Sequence, residues 1–182
     1  MTEKPITLRD LVHDKHEEVE NSAFVKKLFS GDVTKEEYAE WLCQLILVYS
    51  TLETVAKSVG LLDTLPGLER APLIYQDLME LGGVSGRTIQ PATLEYVYYL
   101  LNLYPDRNKI LAHMYVRHMG DLYGGQLLAM KAPGSGKQFV FEDRKTLIAN
   151  IRAMLDNSLA EEANVAFDWT LKILSEYDAS LG

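Results

Sequence analysis

Apolar residues recur every three or four positions along most of the chain, which is the periodicity of an amphipathic helix. The clearest run consists of Trp41, Leu45, Val48, Leu52 and Val55. Strand-like alternation is weak throughout, and no repeat or long linker divides the sequence. The pattern therefore predicts a single all-α domain over residues 1–182, a layered bundle of seven or eight helices.

Capping and breaking residues predict where these helices begin and end. Thr7 with Asp10, and Thr34 with Glu37, have the spacing of a capping box at a helix N-terminus. The segment 132–136 (APGSG) is a loop, and residues 138–141 are predicted to be extended. The predicted helices cover approximately residues 7–20, 24–30, 35–59, 69–81, 91–103, 106–131, 142–155 and 161–177.

Composition narrows the classes of function. The formal net charge is −8, from 18 basic and 26 acidic residues, so we expect neither nucleic acid nor an anionic membrane as the main partner. The single cysteine, Cys43, excludes an internal disulfide and favours a reducing compartment. The apolar windows are far shorter than the roughly 20 residues of a membrane span, and the polar start has no signal-peptide core. We therefore expect a soluble cytoplasmic protein.

One predicted helix contains residues that oppose helix formation. Gly120, Gly124 and Gly125 lie inside a segment with helical periodicity, and each interior glycine costs about 1 kcal/mol relative to alanine. This cost is offset if a flat, bulky group lies against the bare backbone and the helix bends over it. Tight helix packing, or a loop between two helices, explains the same glycines from the residues alone.

Histidine is scarce, with four in the chain. His16 falls on the apolar stripe of the first predicted helix, where a neutral imidazole is suited to ligate iron axially. Glu20, one turn later, is placed to orient that imidazole. A core histidine bonded to a backbone carbonyl is the alternative. The stripe consists of Leu8, Leu11, Val12 and Val19.

Arg117 and Asp121 are also one helical turn apart. The pair is either an ordinary ion pair on a helix surface or part of a buried polar network that holds water. The neighbouring glycines are compatible with both interpretations.

Three motifs follow one another along the chain. They are 16–21 (HEEVEN) with Phe24, 29–31 (FSG) and 49–53 (YSTLE); 112–126 (AHMYVRHMGDLYGGQ); and 162–167 (EANVAF). In order and separation they resemble the proximal, distal and last helices of heme oxygenases, and especially of the soluble enzymes of cyanobacteria, algae and their viruses. The resemblance implies an all-α bundle in which heme lies between a proximal N-terminal helix and a glycine-kinked distal helix.

The resemblance also implies a role for each matching residue. His16 is the expected proximal iron ligand, with Glu20 beside it. Asp121 is expected to anchor a distal water network that Tyr49 and Arg117 join. The other expected heme contacts are Gly120, Gly124 and Gly125 on the distal face, Arg9, Tyr115 and Arg152 at the propionates, and Phe167 as a wall of the pocket.

Two positions depart from the family pattern. Ile148 stands where a lysine is expected one turn before Arg152, and Lys145 is the candidate to replace it. Tyr123 replaces a small residue inside the glycine motif, where its size affects the width of the pocket or its access to solvent.

The activity implied by the resemblance is the oxidative cleavage of heme b, both substrate and cofactor, to biliverdin IX-alpha with release of CO and ferrous iron. The reaction uses O2 and electrons from an external donor, because no flavin or nicotinamide motif is present. Ferredoxin is the expected donor, and a bilin reductase is a possible acceptor of the product. The alternatives are a heme carrier or sensor without turnover, and a heme-free helical interaction protein. Candidate donor contacts are Lys26, Lys27, Arg117, Lys131 and Lys137.

Overall fold

The helical periodicity of the sequence corresponds to an all-helical architecture in the computed structural model, which describes residues 5–182. Over these residues the chain forms nine α-helices and three short 3₁₀ helices, and no strand. The α-helices are α1 (Leu8–Leu11), α2 (His13–Glu20), α3 (Ala23–Ser30), α4 (Lys35–Ser58), α5 (Ala71–Glu80), α6 (Pro91–Leu101), α7 (Arg107–Lys131), α8 (Arg144–Met154) and α9 (Ala160–Leu181). The 3₁₀ helices are Leu62–Thr64, Lys137–Phe139 and Asn157–Leu159. The all-α prediction is confirmed, and part of the polar N-terminal segment considered above lies outside the described residues.

Both predicted capping boxes are present. The Thr7 hydroxyl accepts from the Asp10 amide at 3.4 Å, and the Asp10 carboxylate accepts from the Thr7 amide at 2.8 Å. The same reciprocal pair joins Thr34 and Glu37 at the start of α4. Gly31 ends α3 in the left-handed conformation, with φ of 86°, which glycine adopts without steric cost. The boundaries therefore follow local chemistry.

The first predicted helix is divided, which raises the number of α-helices over the described residues to nine, above the expected seven or eight. Val12 has φ of −114° and ψ of 4° and separates α1 from α2. Leu8 and Val12 are buried, whereas Leu11 is 43% exposed. The assignment of Leu11 to the apolar stripe was wrong, because the break at Val12 changes the register between the two short helices.

The predicted extended segment 138–141 was also wrong in part, because Lys137–Phe139 forms a 3₁₀ helix. The two carboxylate oxygens of Asp77, on α5, accept from the backbone amides of Lys137 and Gln138, both at 2.9 Å. An anion that binds two successive amides favours a turn over an extended strand. A distant residue therefore decides the local conformation.

The two longest helices form the centre of the bundle. α4 packs against α5, α6 and α7, while α7 packs against α3, α8 and α9. α2 packs against α3 and α9 but, over the described residues, makes no extensive contact with α7. α2 and α7 therefore stand apart, with α3 and α9 contacting both. We call the space between α2 and α7 the groove. No helix within residues 5–182 has the length and apolarity needed to cross a bilayer.

Candidate functional site

His16 forms the α2 side of the groove. Its side chain is 49% exposed, and its ring meets Phe167 of α9 edge-on, with the ring centroids 5.9 Å apart. Nδ1 lies 3.7 Å from a carboxylate oxygen of Glu20, so Nε2 is the nitrogen available to a ligand. The alternative of a core histidine is wrong, because half of the imidazole faces solvent.

Gly120 and Gly124 form an open strip on the α7 side. Apart from its chain neighbours and the backbone of its own helix, a Cβ built at Gly120 meets no heavy atom within 4 Å among the described residues, and one at Gly124 meets only Cδ1 of Leu128, at 4.0 Å. Neither glycine has a positive φ, and both lie inside the unbroken α7. The alternative of a loop between two helices is therefore wrong, and these glycines leave space over the groove.

Gly125 has a different environment from the other two glycines. It is buried, and a Cβ there would lie 3.0 Å from the ring of Phe139. Tight packing, one of the alternatives that the sequence left open for the glycines, therefore explains Gly125. The structure therefore places the Cβ direction of Gly125 against the 3₁₀ segment and not on the open strip; its expected contact with heme stays a prediction.

Asp121 is buried directly beside the glycine strip. The Tyr49 hydroxyl donates to its Oδ2 at 2.6 Å, and the Gln138 amide donates to its Oδ1 at 3.2 Å. Burial raises the pKa of Asp121 to about 6, although these two hydrogen bonds and the nearby His118 and Arg70 favour the charged form. A carboxyl group with that pKa exchanges protons near neutral pH, as proton-transfer sites require.

Arg117 is buried, and no ion pair joins it to Asp121 among the described residues. Its guanidinium carbon is 5.3 Å from the centre of the Tyr96 ring, and Nε and Nη2 are buried without a hydrogen-bond partner among the described residues. The surface ion pair with Asp121 is therefore wrong, as is the place of Arg117 in an exposed basic patch. Its two unpaired donors need water or a ligand, because buried donors are rarely left unsatisfied.

A second layer of polar groups lies behind Asp121 and was missed from the sequence. Glu53 accepts from the backbone amides of Arg70 and Ala71, at 2.6 and 3.1 Å. Nε2 of the buried His118 lies 3.0 Å from the same carboxylate. Glu53 and His118 stand inside the quoted motifs, but nothing in their spacing shows that they pair across 65 residues.

The predicted propionate contacts Arg9, Tyr115 and Arg152 lie within electrostatic range of one another beside the middle of α7. The pKa of the half-buried Tyr115 is raised by burial, against the opposing positive charges of Arg9 and Arg152. The guanidinium carbons of Arg144 and Arg152 lie 5.7 and 5.5 Å from the centre of the Tyr123 ring. Three cationic groups and two phenols are therefore grouped here, and we call this cluster the cationic end of the groove.

A sequence model of the family described as Heme oxygenase matches residues 5–176. The chain belongs to the heme oxygenase family. It is 30% identical to the heme oxygenase of Porphyra purpurea, over 96% of this chain and 86% of that protein. It is 28% identical to that of Rhodella violacea, over 98% and 88%. The predicted family resemblance is confirmed.

Solved heme oxygenases have the same fold. The crystal structure of Synechocystis heme oxygenase-1 in complex with heme matches 96% of this chain and 91% of that one, with a TM-score of 0.80 and 26% identity. The heme oxygenase of Leptospira interrogans gives a TM-score of 0.81 at 24% identity. The residues of the groove fit a heme: a half-exposed imidazole faces it on one side, and a strip without side chains faces it on the other.

Proposed function

We propose that this heme oxygenase opens heme to biliverdin with release of CO and ferrous iron, heme b being both substrate and cofactor. The observation that carries the proposal is the arrangement around the groove. His16 is half exposed on one wall, the open strip at Gly120 and Gly124 forms the other, and the buried Asp121 adjoins that strip. Bound heme supplies the iron at which O2 is activated.

His16 binds the iron through Nε2 in this proposal. Glu20, 3.7 Å from Nδ1, orients the imidazole and increases its basicity, as carboxylates near metal-bound histidines do. Phe167 supports the ring edge-on and excludes water from that side of the groove.

The distal wall supplies space and a proton. Gly120 and Gly124 let a flat macrocycle and a small gas molecule approach the α7 backbone closely. Asp121 holds a proton or a water molecule at its carboxylate oxygens, with Tyr49 holding Oδ2 in place. The unpaired Nε and Nη2 of Arg117 are donors for further water molecules.

The cationic end of the groove orients the substrate. Arg9, Tyr115 and Arg152 lie together there and suit the two carboxylates of heme, because guanidinium groups bind carboxylates in a fixed geometry. By holding the two carboxylates, these residues would set the rotation of heme in its plane and therefore which meso carbon is attacked. We propose the IX-alpha isomer, as the resemblance to the family implies.

The external electron donor is proposed to be a ferredoxin, with a bilin reductase as a further partner that takes the product. Two of the predicted contacts, Lys26 and Lys131, are exposed, and Lys131 packs against Gly31 at the end of α3. Lys27 on α3 pairs with Glu37. Positive charge on this surface would attract an acidic donor, and its main effect would be a faster association of the two proteins.

Reconstitution with hemin tests the proposal. A Soret band typical of histidine ligation should appear, followed by a biliverdin band after addition of ascorbate or reduced ferredoxin in air. A stable Soret band without biliverdin would indicate a heme carrier or sensor. The absence of both bands would contradict heme binding altogether. Chromatography of the product identifies the isomer.

A further inference from the structure

Gln138 holds the second oxygen of the Asp121 carboxylate. Its side chain is 1% exposed, and its Nε2 donates to Oδ1 at 3.2 Å, opposite the Tyr49 hydroxyl on Oδ2. The carboxylate is therefore held at both oxygens by residues of two different elements. No motif in the sequence marks Gln138, which lies in the short segment between α7 and α8.

The backbone around Gln138 is anchored by Asp77 on α5 and by Arg70, the residue that precedes α5. Asp77 accepts from the amides of Lys137 and Gln138, both at 2.9 Å. Arg70 donates through Nη1 to the carbonyls of Gln138 and Val140, at 3.1 and 2.7 Å. These four hydrogen bonds secure the main chain on both sides of the side chain, so its direction toward Asp121 is determined by the fold.

The surroundings of the Gln138 amide show which of its ends is the nitrogen and which is the oxygen. Its Oε1 is buried without a partner among the described residues, whereas Nε2 faces an atom that accepts. An ionised carboxylate only accepts hydrogen bonds, so it selects the NH₂ end of the amide. The unpaired Oε1 is then an acceptor for an internal water molecule.

We propose that Gln138 is a positioning residue for Asp121: its amide fixes the orientation of the carboxylate and stabilises the ionised form. This role rests on the proposed function of Asp121 as the proton-handling group of the heme oxygenase reaction. Gln138 touches neither heme nor the reacting atoms; it acts through Asp121.

The other charged or titratable groups around Asp121 bear on the expected size of the effect. Tyr49 donates to it from α4, His118 lies on α7, and Arg70 precedes α5. Tyr38 on α4 also interacts with its charge. Replacement of Gln138 leaves all four in place, so the change in the pKa of Asp121 reports the lost amide alone. Because that amide lowers the pKa, its removal should raise it, by about one unit for a buried hydrogen bond to a charged group.

The test compares Gln138→Met with wild type in the apo-protein. Methionine has a similar length and no donor. NMR titration of ¹³C-labelled aspartate carboxyl groups, with the Asp121 signal assigned by its loss in Asp121→Asn, should show a midpoint about one pH unit higher in the variant. Gln76→Met, at an exposed position on α5, should leave the midpoint unchanged. An unchanged midpoint in a folded Gln138→Met would overturn the proposal.

Two further measurements keep the result interpretable. If Gln138→Met does not fold, Gln138→Asn replaces it as the test variant. Its amide is one carbon further from Asp121, so the midpoint of the Asp121 titration should again be higher than in wild type. In wild type, the side-chain NH₂ signals of Gln138 should titrate with the Asp121 midpoint, and signals that stay constant through it would contradict the hydrogen bond. All of these readouts use apo-protein, so they are independent of whether the wild type forms biliverdin.

The activity profile should move in parallel with the carboxyl titration. In Gln138→Met the acidic limb of biliverdin formation should shift upward by the same amount, with hemin affinity unchanged. A merely structural role would lower the rate at every pH and leave the limb in place.

Discussion

The Tyr49 hydroxyl donates a 2.6 Å hydrogen bond to Oδ2 of Asp121 across 72 residues of sequence. Both groups are buried, and the pKa of Tyr49 lies well above its usual value, chiefly because of burial and then because of the Asp121 charge. The phenol therefore stays protonated and remains a donor while the carboxyl group titrates. The hydrogen bond joins α4 to α7 beneath the open glycine strip.

Replacement of Asp121 by asparagine should change how stability depends on pH. Burial raises the pKa of Asp121 from 3.8 to about 6. Its contribution to stability is therefore present below pH 4 and is lost as the pH rises through 6. A shift of two units corresponds to about 3 kcal/mol. The free energy of unfolding of Asp121→Asn should rise relative to wild type by up to that amount between pH 4 and 7.

Denaturant unfolding of the apo-proteins at a series of pH values measures this difference. Asp14→Asn, at an exposed position on α2, should give a difference that does not vary over the same range. A constant difference for Asp121→Asn would show that the carboxyl group is not destabilised by burial. The same variant should bind hemin and form little biliverdin.

His16→Ala should remove the histidine ligation of the ferric hemin complex and abolish turnover. The imidazole is half exposed, so the apo-protein should keep its melting temperature within a degree or two. His13→Ala is a matched control on the same helix, since His13 is similarly exposed and pairs with Glu17 one turn away. Resonance Raman spectra check the result: an iron–histidine stretch that survives in His16→Ala would assign the ligand elsewhere.

Gly124→Ala should separate stability from catalysis. Its Cβ meets only Leu128 at 4.0 Å, and alanine favours the helix by about 1 kcal/mol. The apo-protein should therefore melt at the same or a slightly higher temperature, while O2 binding and biliverdin formation fall, because the methyl group projects from the open strip.

Gly125→Ala provides the contrast. Its Cβ would lie 3.0 Å from Phe139, and overpacking of this kind costs about 1–3 kcal/mol. The variant should melt several degrees lower than wild type. If Gly124→Ala melted at a lower temperature than Gly125→Ala, the space above Gly124 would not be open.

Arg152→Gln should weaken hemin binding and alter the ratio of biliverdin isomers. Arg152 lies with Arg9 and Tyr115 at the cationic end of the groove. Lys145→Gln, on the exposed side of the same helix α8, should change neither property. Hemin titration and chromatography of the product measure both effects. If Lys145→Gln weakened hemin binding more than Arg152→Gln did, Lys145 would be the propionate contact.

The sequence by itself determined the helical elements, because their signals are local. Capping boxes and apolar periodicity act over three or four residues, and they correctly predicted the start of α4 and the full extent of α7. The proximity of Tyr49 to Asp121 was also predicted from the sequence, but only through its resemblance to a known family. His16 was recognised in the same way, since its spacing alone left the core alternative open.

Only the tertiary structure decided the immediate surroundings of Asp121. Gln138 reaches it because Asp77 of α5 anchors a loop that has no periodicity. The guanidinium of Arg117 lies over the ring of Tyr96, a residue of α6. The separation of Gly125 from Gly124 likewise depends on where Phe139 lies. Each of these contacts joins two different elements that the fold packs together. Burial and pairing are properties of the packed bundle, and no local pattern of residues encodes them.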